Sequence, residues 1–283
     1  MDALTAGCQM LQAKGVESPR LDCEILLSNI LGWQRHELYL NRDYPLTSEQ
    51  MHVFNGMLQR RLAGEPIQYI TGTKYFMGLP FHVDPRVLIP RWETELLTEY
   101  VLRIAKKMLQ PAAVLDLGTG SGAIAVSLAV YLKADITAVD IQEKALEVAK
   151  KNAKDNGVFH QINFYHGDLF SSLDSAHFRE YFDVIVSNPP YIPTGEIPEL
   201  MPEVSKYEPV TALDGGTDGL DFYRRIAREA CGYMKDGGLI AMEIGYGQSK
   251  SVQDIFMETG LYHRQEVHKD LAGIERFVVF HKK

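Results

Sequence analysis

Along the first 63 residues, apolar side chains recur at intervals of three and four. Ile25, Leu26, Ile30 and Leu31 form one run, and Met51, Phe54, Met57, Leu58 and Leu62 another. That spacing lines one face of a helix, and Ser18-Pro19 and Asp43-Tyr44-Pro45 divide the stretch into several short helices. Thr47 followed by Gln50 has the form of an N-cap with its capping-box partner. Between Gly64 and Pro90 the pattern changes to Gly, Pro and alternating aromatic or aliphatic residues, which predicts two short strands around Met77 to Pro80 and hence a hairpin linker.

Beyond Pro90 the period switches back and forth. Ala113 to Leu117, Ile136 to Asp140, Ile162 to His166, Phe182 to Ser187 and Gly238 to Ile244 read as strands, with helices over Ala123 to Tyr131, Gln142 to Asn156 and around Phe222 to Met234. Such alternation implies a parallel sheet covered on both faces, an α/β fold. Tyr262 to Val267 and Arg276 to Phe280, on either side of a Gly273 turn, predict an antiparallel hairpin at its end. The expected organisation is a helical domain over 1–65, a hairpin linker over 66–90 and a sheet domain over 91–283. The Pro-rich stretch from Ile192 to Pro209 is long for a connection and is expected to act as a lid.

Composition narrows this picture. The 283 residues are 46% hydrophobic and 23% charged, the profile of a soluble globular protein large enough for two domains. Acidic residues outnumber basic ones 37 to 29, and the net charge of -8 argues against a surface that grips nucleic acid. Lys14, Arg20, Arg35, Arg42, Arg60 and Arg61 read as a solvated helix surface among acidic neighbours, with a docking face for a partner as the alternative. Cys8, Cys23 and Cys231 form no C-x-x-C pair, so a reducing, cytoplasmic setting is expected. Met1 to Met10 lacks a basic cluster ahead of an apolar run, so no signal peptide is expected, and no apolar stretch approaches the roughly 18 residues that would span a bilayer. The nine histidines show no metal-ligand spacing.

Chemistry concentrates after four strands. Val114-Leu115-Asp116-Leu117 runs into Gly118-Thr119-Gly120-Ser121-Gly122 and then a helix, a loop whose glycines let backbone approach a ligand closely. Gly118, Gly120 and Ala123 also satisfy the dinucleotide fingerprint, with Asp140 about 20 residues on, so the loop by itself indicates a nucleotide-like cofactor and no more. Asp140 can accept both ribose hydroxyl protons, and Asp168 with Leu169 follows the third strand, a second carboxylate at a position that resembles the one where methyltransferases hold the adenine amino group. The fourth strand delivers Asn188-Pro189-Pro190-Tyr191 at its C-terminal end, the edge where open parallel sheets bind ligands. Two prolines remove two N–H donors, so the Asn188 side-chain oxygen and the Pro189 carbonyl can both accept from an NH2 group, while Tyr191 offers an aromatic face to a planar one.

The topology with its terminal hairpin resembles class I (Rossmann-like) methyltransferases, and N-P-P-Y resembles the motif of those that modify planar nitrogen. Gly64-Glu65-Pro66-Ile67-Gln68-Tyr69, Val87 to Arg91 with Glu93-Thr94-Glu95, Val186 to Ile192, Glu208-Pro209 and Asp218-Gly219-Leu220 are similar to the HemK/PrmC family of glutamine N5-methyltransferases. That resemblance covers nearly the whole chain. It implies S-adenosyl-L-methionine as cofactor, leaving S-adenosyl-L-homocysteine, and as substrate the glutamine of the Gly-Gly-Gln motif in class I peptide chain release factors. It places cofactor binding at Gly118, Thr119, Gly120, Ser121, Gly122, Asp140, Asp168, Leu169 and Asn188, and substrate binding and catalysis at Asn188, Pro189, Pro190 and Tyr191. A helical N-terminal domain that docks the substrate is part of the same expectation, with no membrane and no stable nucleic-acid partner. The alternatives are a ribosomal-protein glutamine methyltransferase, disfavoured by Arg91 to Glu95, and a nucleic-acid adenine N6-methyltransferase, disfavoured by the charge. Trp92 stands where the family usually has proline, and Leu169 where an aromatic is often found.

Overall fold

The computed structural model describes residues 2–108 and 111–283. They form two units, residues 1–73 with 201–207 and residues 74–200 with 208–283. In the first, the three-and-four spacing folds as α1 (Asp2–Ala13), α2 (Pro19–Leu31), α3 (Arg35–Leu40) and α4 (Ser48–Leu62), and α5 (Ile67–Thr71) follows beyond it. Pro19 opens α2, where its missing N–H is no loss, and Gly32 closes it at φ +67°. The Gln50 N–H donates to Thr47 Oγ1 at 3.1 Å and the Thr47 N–H to Gln50 Oε1 at 2.9 Å, which is the expected capping box. Leu11, Cys23, Leu26, Phe54, Leu58 and Ile70 make the core.

Arg61 departs from the reading of a solvated basic face. Its guanidinium is buried and donates to Asp22 at 2.6 Å and to Glu203 at 2.6 Å. The Tyr207 hydroxyl donates to the Ala63 carbonyl, so the segment 201–207 folds with the helices although it lies far along the chain.

The stretch 66–90 is not a separate linker. Helix α5 belongs to the helical unit, whereas β1 (Thr73–Phe76) and β2 (Leu79–His82) send Phe76 and Phe81 into a core of the sheet unit. Their turn places Met77 at φ +51° and Gly78 at φ +75°. Met77 is held there from both sides, its N–H donating to Glu95 at 2.7 Å and its carbonyl accepting from the Tyr131 hydroxyl at 2.7 Å.

The remaining elements alternate strand and helix: α6 (Trp92–Ala105), β3 (Ala113–Leu117), α7 (Ala123–Tyr131), β4 (Asp135–Asp140), α8 (Glu143–Asp155), β5 (Ile162–His166) and β6 (Phe182–Ser187), then α9 (Asp221–Glu229), β7 (Met234–Glu243), α10 (Ser249–Glu258), β8 (Tyr262–Lys269) and β9 (Glu275–Lys282), with α6 and α10 in addition to the helices that the pattern predicts. The sheet order is β5-β4-β3-β6-β7-β9-β8. The first five strands are parallel and β9 runs antiparallel to both β7 and β8. Every residue of β3 is buried, because the sheet is covered on both faces. Val114, Val184 and Ala241 face α6 and α7, while Leu115, Ile185 and Ile240 pack on the opposite side around Tyr223 and Phe256.

One boundary differs from the pattern. The expected helix to Met234 stops at Glu229 in a 3-10 turn, and β7 starts at Met234 with a register shift before Leu239. Gly237, at φ +75°, and Gly238 permit that bulge. The stretch 192–209 contains a 3-10 turn over Thr194–Glu199 and a helical turn over Pro202–Ser205. Its ends are tied down by an Ile192–Asp214 bridge and by Arg91, which donates to both Glu208 oxygens at 2.8 and 2.7 Å. Among the described residues no helix is long and apolar enough to cross a membrane.

Candidate active site

Strand order reverses beside β3, with β4 on one side and β6 on the other, so the ends of these strands open a crevice at the switch point. The loop after β3 enters it with Gly118, Gly120 and Gly122 at φ +71°, +55° and +79°. Four of its five backbone donors are engaged within the protein. Gly118 and Thr119 N–H donate to the Val139 carbonyl at 2.9 and 3.0 Å, Gly120 N–H to Asp140 Oδ2 at 2.8 Å, and Gly122 N–H to the Thr119 carbonyl at 2.8 Å.

Gly118 and Gly120 line a cavity in this crevice. Asp140, Asp168, Leu169, Asn188, Pro189 and Pro190 share that lining. Thr119, Ser121 and Gly122 are outside it and shape the loop instead. The Thr119 hydroxyl donates to Asp116 at 2.7 Å, the Ser121 carbonyl accepts from Asn152 at 2.8 Å, and a Cβ on Gly122 would stand 3.1 Å from that of Ala149. The third glycine therefore lets α7 and α8 pack closely.

Asp140 accepts from the Gly120 and Gln142 N–H groups, both at 2.8 Å, one on each oxygen. Each oxygen keeps a lone pair for a ligand. Burial raises its carboxyl above the ordinary range, an effect those two donors oppose. Asp168 receives the Arg225 guanidinium at 2.8 Å. Leu169, at φ +51°, joins Leu88, Ile141 and Phe222 as the apolar part of the lining. Arg86 is the cation beside Asp140 on this wall, and it is clamped by both oxygens of Asp84 at 2.9 and 2.7 Å and by Glu147 at 2.8 Å. The same pairing depresses the Asp84 carboxyl to about 2. Behind the loop Asp116 is fully buried, and desolvation pushes its carboxyl up to about 7.

Asn188 follows β6 in the lining of the cavity, and its Nδ2 donates to Thr94 Oγ1 at 3.1 Å. Thr94 donates in turn to Glu243 Oε2 at 2.5 Å. Glu243 ends β7, and burial raises its carboxyl to about 7. The Tyr191 hydroxyl reaches the other Glu243 oxygen at 3.4 Å. Tyr191 is therefore turned away from the glycine-loop cavity and lines a second, polar one with Arg91, Glu93, Glu243 and Arg276. Trp92, half exposed, carries the Arg276 guanidinium 5.3 Å above its ring.

Thr94 and Glu243 escaped the sequence reading as site residues. Thr94 was visible only as part of Glu93-Thr94-Glu95, three neighbours that reach three different elements: Glu93 pairs with Arg276, Thr94 with Glu243, and Glu95 with the Met77 N–H. Glu243 carried the same signal as Asp116 and Asp140, a carboxylate closing an apolar strand.

Residues 2–72 match the family described as PrmC N-terminal domain, and residues 110–271 match the family described as Methyltransferase domain. A release factor glutamine methyltransferase from Geobacter sulfurreducens is 47% identical, over 95% of this chain and 91% of that protein. One of the same description from Moorella thermoacetica is 41% identical, over 99% of this chain and 98% of that protein. Among solved structures, a methyltransferase from Pyrococcus furiosus superposes with a TM-score of 0.52 at 20% identity, covering 79% of this chain and 97% of that one, a likeness of fold.

Proposed function

Since the chain belongs to the release factor glutamine methyltransferase family, we propose that its glycine-loop cavity holds S-adenosylmethionine and that Asn188 and Pro189 hold the side-chain amide of a release-factor glutamine for methylation. The protein is a protein-glutamine methyltransferase, and its substrate is the glutamine of the Gly-Gly-Gln motif in class I release factors. A substrate in the translation apparatus implies work in the cytoplasm.

The residues present fit that cofactor. A dinucleotide needs free N–H groups or cations for its pyrophosphate, but here the Gly118, Thr119, Gly120 and Gly122 N–H groups are engaged internally and Arg86 is neutralised by Asp84 and Glu147. The lining instead offers Asp140 with a lone pair on each oxygen for vicinal hydroxyls, an apolar slot for a base, and negative charge suited to a cationic ligand. Bound there, the cofactor supplies a methyl group activated by its sulfonium.

The chain's own residues contribute orientation. An amide nitrogen is a poor nucleophile because its lone pair is delocalised into the carbonyl. The Asn188 Oδ1 and the Pro189 carbonyl accept from its two N–H groups, fix the nitrogen and favour positive charge developing on it. The nitrogen becomes acidic as the new bond forms, so no strong base is required at the moment of transfer.

The observation that carries this reading is that Asn188 lines one cavity with Asp140 and the glycine loop. Labelled donor offered in parallel with a release factor, a ribosomal protein and DNA should mark the release factor alone, on glutamine. Asn188→Ala should lower turnover at saturating donor by about two orders of magnitude, the scale for one oriented polar group. Near-normal turnover would remove Asn188 from the role.

A further inference from the structure

The Asn188 side chain has two ends of similar shape and opposite polarity, and only its oxygen can accept a proton from a substrate amide. Nothing in the N-P-P-Y motif decides which end faces the cavity. Turning the amide over would leave the shape of the site unchanged and replace an acceptor by a donor, which repels the substrate N–H.

The contacts behind Asn188 decide it. Glu243 is 3% exposed and ends β7 inside the protein. Burial raises its carboxyl to about 7, so above that pH it is a carboxylate that only accepts, and its Oε2 lies 2.5 Å from Thr94 Oγ1. The Thr94 hydroxyl has one proton, which that contact takes, so what remains on Oγ1 is lone pairs. At 3.1 Å from them sits the Asn188 amide, and only its NH2 end can bond there. Thr94 is itself immobile, 4% exposed in the first turn of α6, and its carbonyl accepts from the Thr98 hydroxyl at 2.8 Å. The polarity thus runs one way, from Asn188 through Thr94 to Glu243.

We propose that Thr94 and Glu243 are positioning residues that lock the Asn188 amide with its oxygen toward the substrate nitrogen. The inference rests on the reading of Asn188 given above and adds two residues from other elements to the site. Neither touches the substrate. Their contribution is to make one of two near-isosteric orientations the only one with a satisfied NH2 group.

The test separates the lock from the site it serves. Thr94→Val keeps the shape and removes the hydroxyl, and Thr94→Ser restores the hydroxyl on a smaller side chain. Methyl transfer to the release factor is measured at saturating S-adenosylmethionine, together with cofactor affinity by calorimetry and thermal stability. Thr94→Val should lower kcat about ten-fold, the scale of one hydrogen bond, with cofactor affinity within two-fold of wild type. Thr94→Ser should recover most of that loss. In the Asn188→Ala background, Thr94→Val should lower kcat no further, since no amide remains to orient.

Three results would overturn the lock. They are normal turnover of Thr94→Val beside an inactive Asn188→Ala, a Thr94→Val defect that multiplies with Asn188→Ala, or an equal loss in the Val and Ser variants that follows their stability. An active Asn188→Ala would instead overturn the reading of Asn188, and the two failures are distinct.

Discussion

Replacing Asp116 by asparagine should shift stability in favour of the variant increasingly as pH rises. Asp116 has no accessible surface, its Oδ2 accepts from Thr119 at 2.7 Å and from the Ala125 N–H at 3.2 Å, and its Oδ1 has no hydrogen-bond partner. Its carboxyl is lifted from the ordinary 3.8 to about 7, chiefly by desolvation, with the Asp140 charge adding to the effect. The folded protein therefore holds this proton over a range where the unfolded chain has lost it, and linkage makes stability fall as pH rises through that range. Below the unfolded value both states are protonated and the penalty vanishes; above the folded value it is complete. At about 1.4 kcal/mol for each unit between the two values, the penalty is about 2 kcal/mol at pH 5.5 and about 4 kcal/mol at pH 7.5. Asparagine keeps an acceptor for Thr119 and Ala125 and does not titrate. Its NH2, in place of Oδ1, carries a fixed penalty of about 1–3 kcal/mol if it finds no partner, but that offset is the same at every pH. Urea unfolding of both proteins at pH 5.5, 6.5 and 7.5 isolates the difference. The asparagine variant should gain about 2 kcal/mol on wild type across that interval. Parallel profiles, with the gap changing by less than about 0.5 kcal/mol, would show that Asp116 titrates normally and would refute the burial argument.

Three further outcomes follow from the same geometry. Asp140→Ala removes both acceptors assigned to the cofactor hydroxyls and should weaken S-adenosylmethionine binding about ten- to a hundred-fold, the scale of one or two charge-assisted bonds; calorimetry giving wild-type affinity would take Asp140 out of the site. Gly122→Ala puts a Cβ 3.1 Å from that of Ala149 at a φ of +79°, so it should lower stability by about 1–3 kcal/mol, read as a drop in Tm. Arg61→Ala leaves the buried Asp22 carboxylate without its cation, and its loss of about 3–5 kcal/mol should appear as early unfolding of the helical unit in hydrogen exchange.

The sheet was legible because its strands are buried on both faces. Val184 to Val186 is an unbroken apolar run, and Val114 to Leu117 and Ile136 to Val139 are interrupted only by Asp116 and Thr137; a helix must cover each side of such a strand. The hairpin as part of the sheet unit was less so, because Phe76 and Phe81 look the same whether they fill a core or decorate a linker. Arg61 was misread for a related reason. Its partner Asp22 lies 39 residues earlier and Glu203 far later in the chain, and no periodicity links positions so distant.

The site divides along the same line. What a motif states is which chemical groups arrive at a strand end, and Asp140 and Asn188 could be placed that way because each follows an apolar strand directly. What it leaves open is where each donor and acceptor is already committed. The sequence Gly118-Thr119-Gly120-Ser121-Gly122 suits a pyrophosphate as well as a sulfonium cofactor until the Gly120 N–H is seen on Asp140 and the Gly118 and Thr119 N–H groups on Val139. Asn188 is an acceptor or a donor until Thr94 is found behind it with its one proton given to Glu243. In both places selectivity is set by hydrogen-bond direction, and direction is fixed by side chains from other strands and helices. Thr94 and Glu243, 149 residues apart, therefore belong to the site as much as the motif between them.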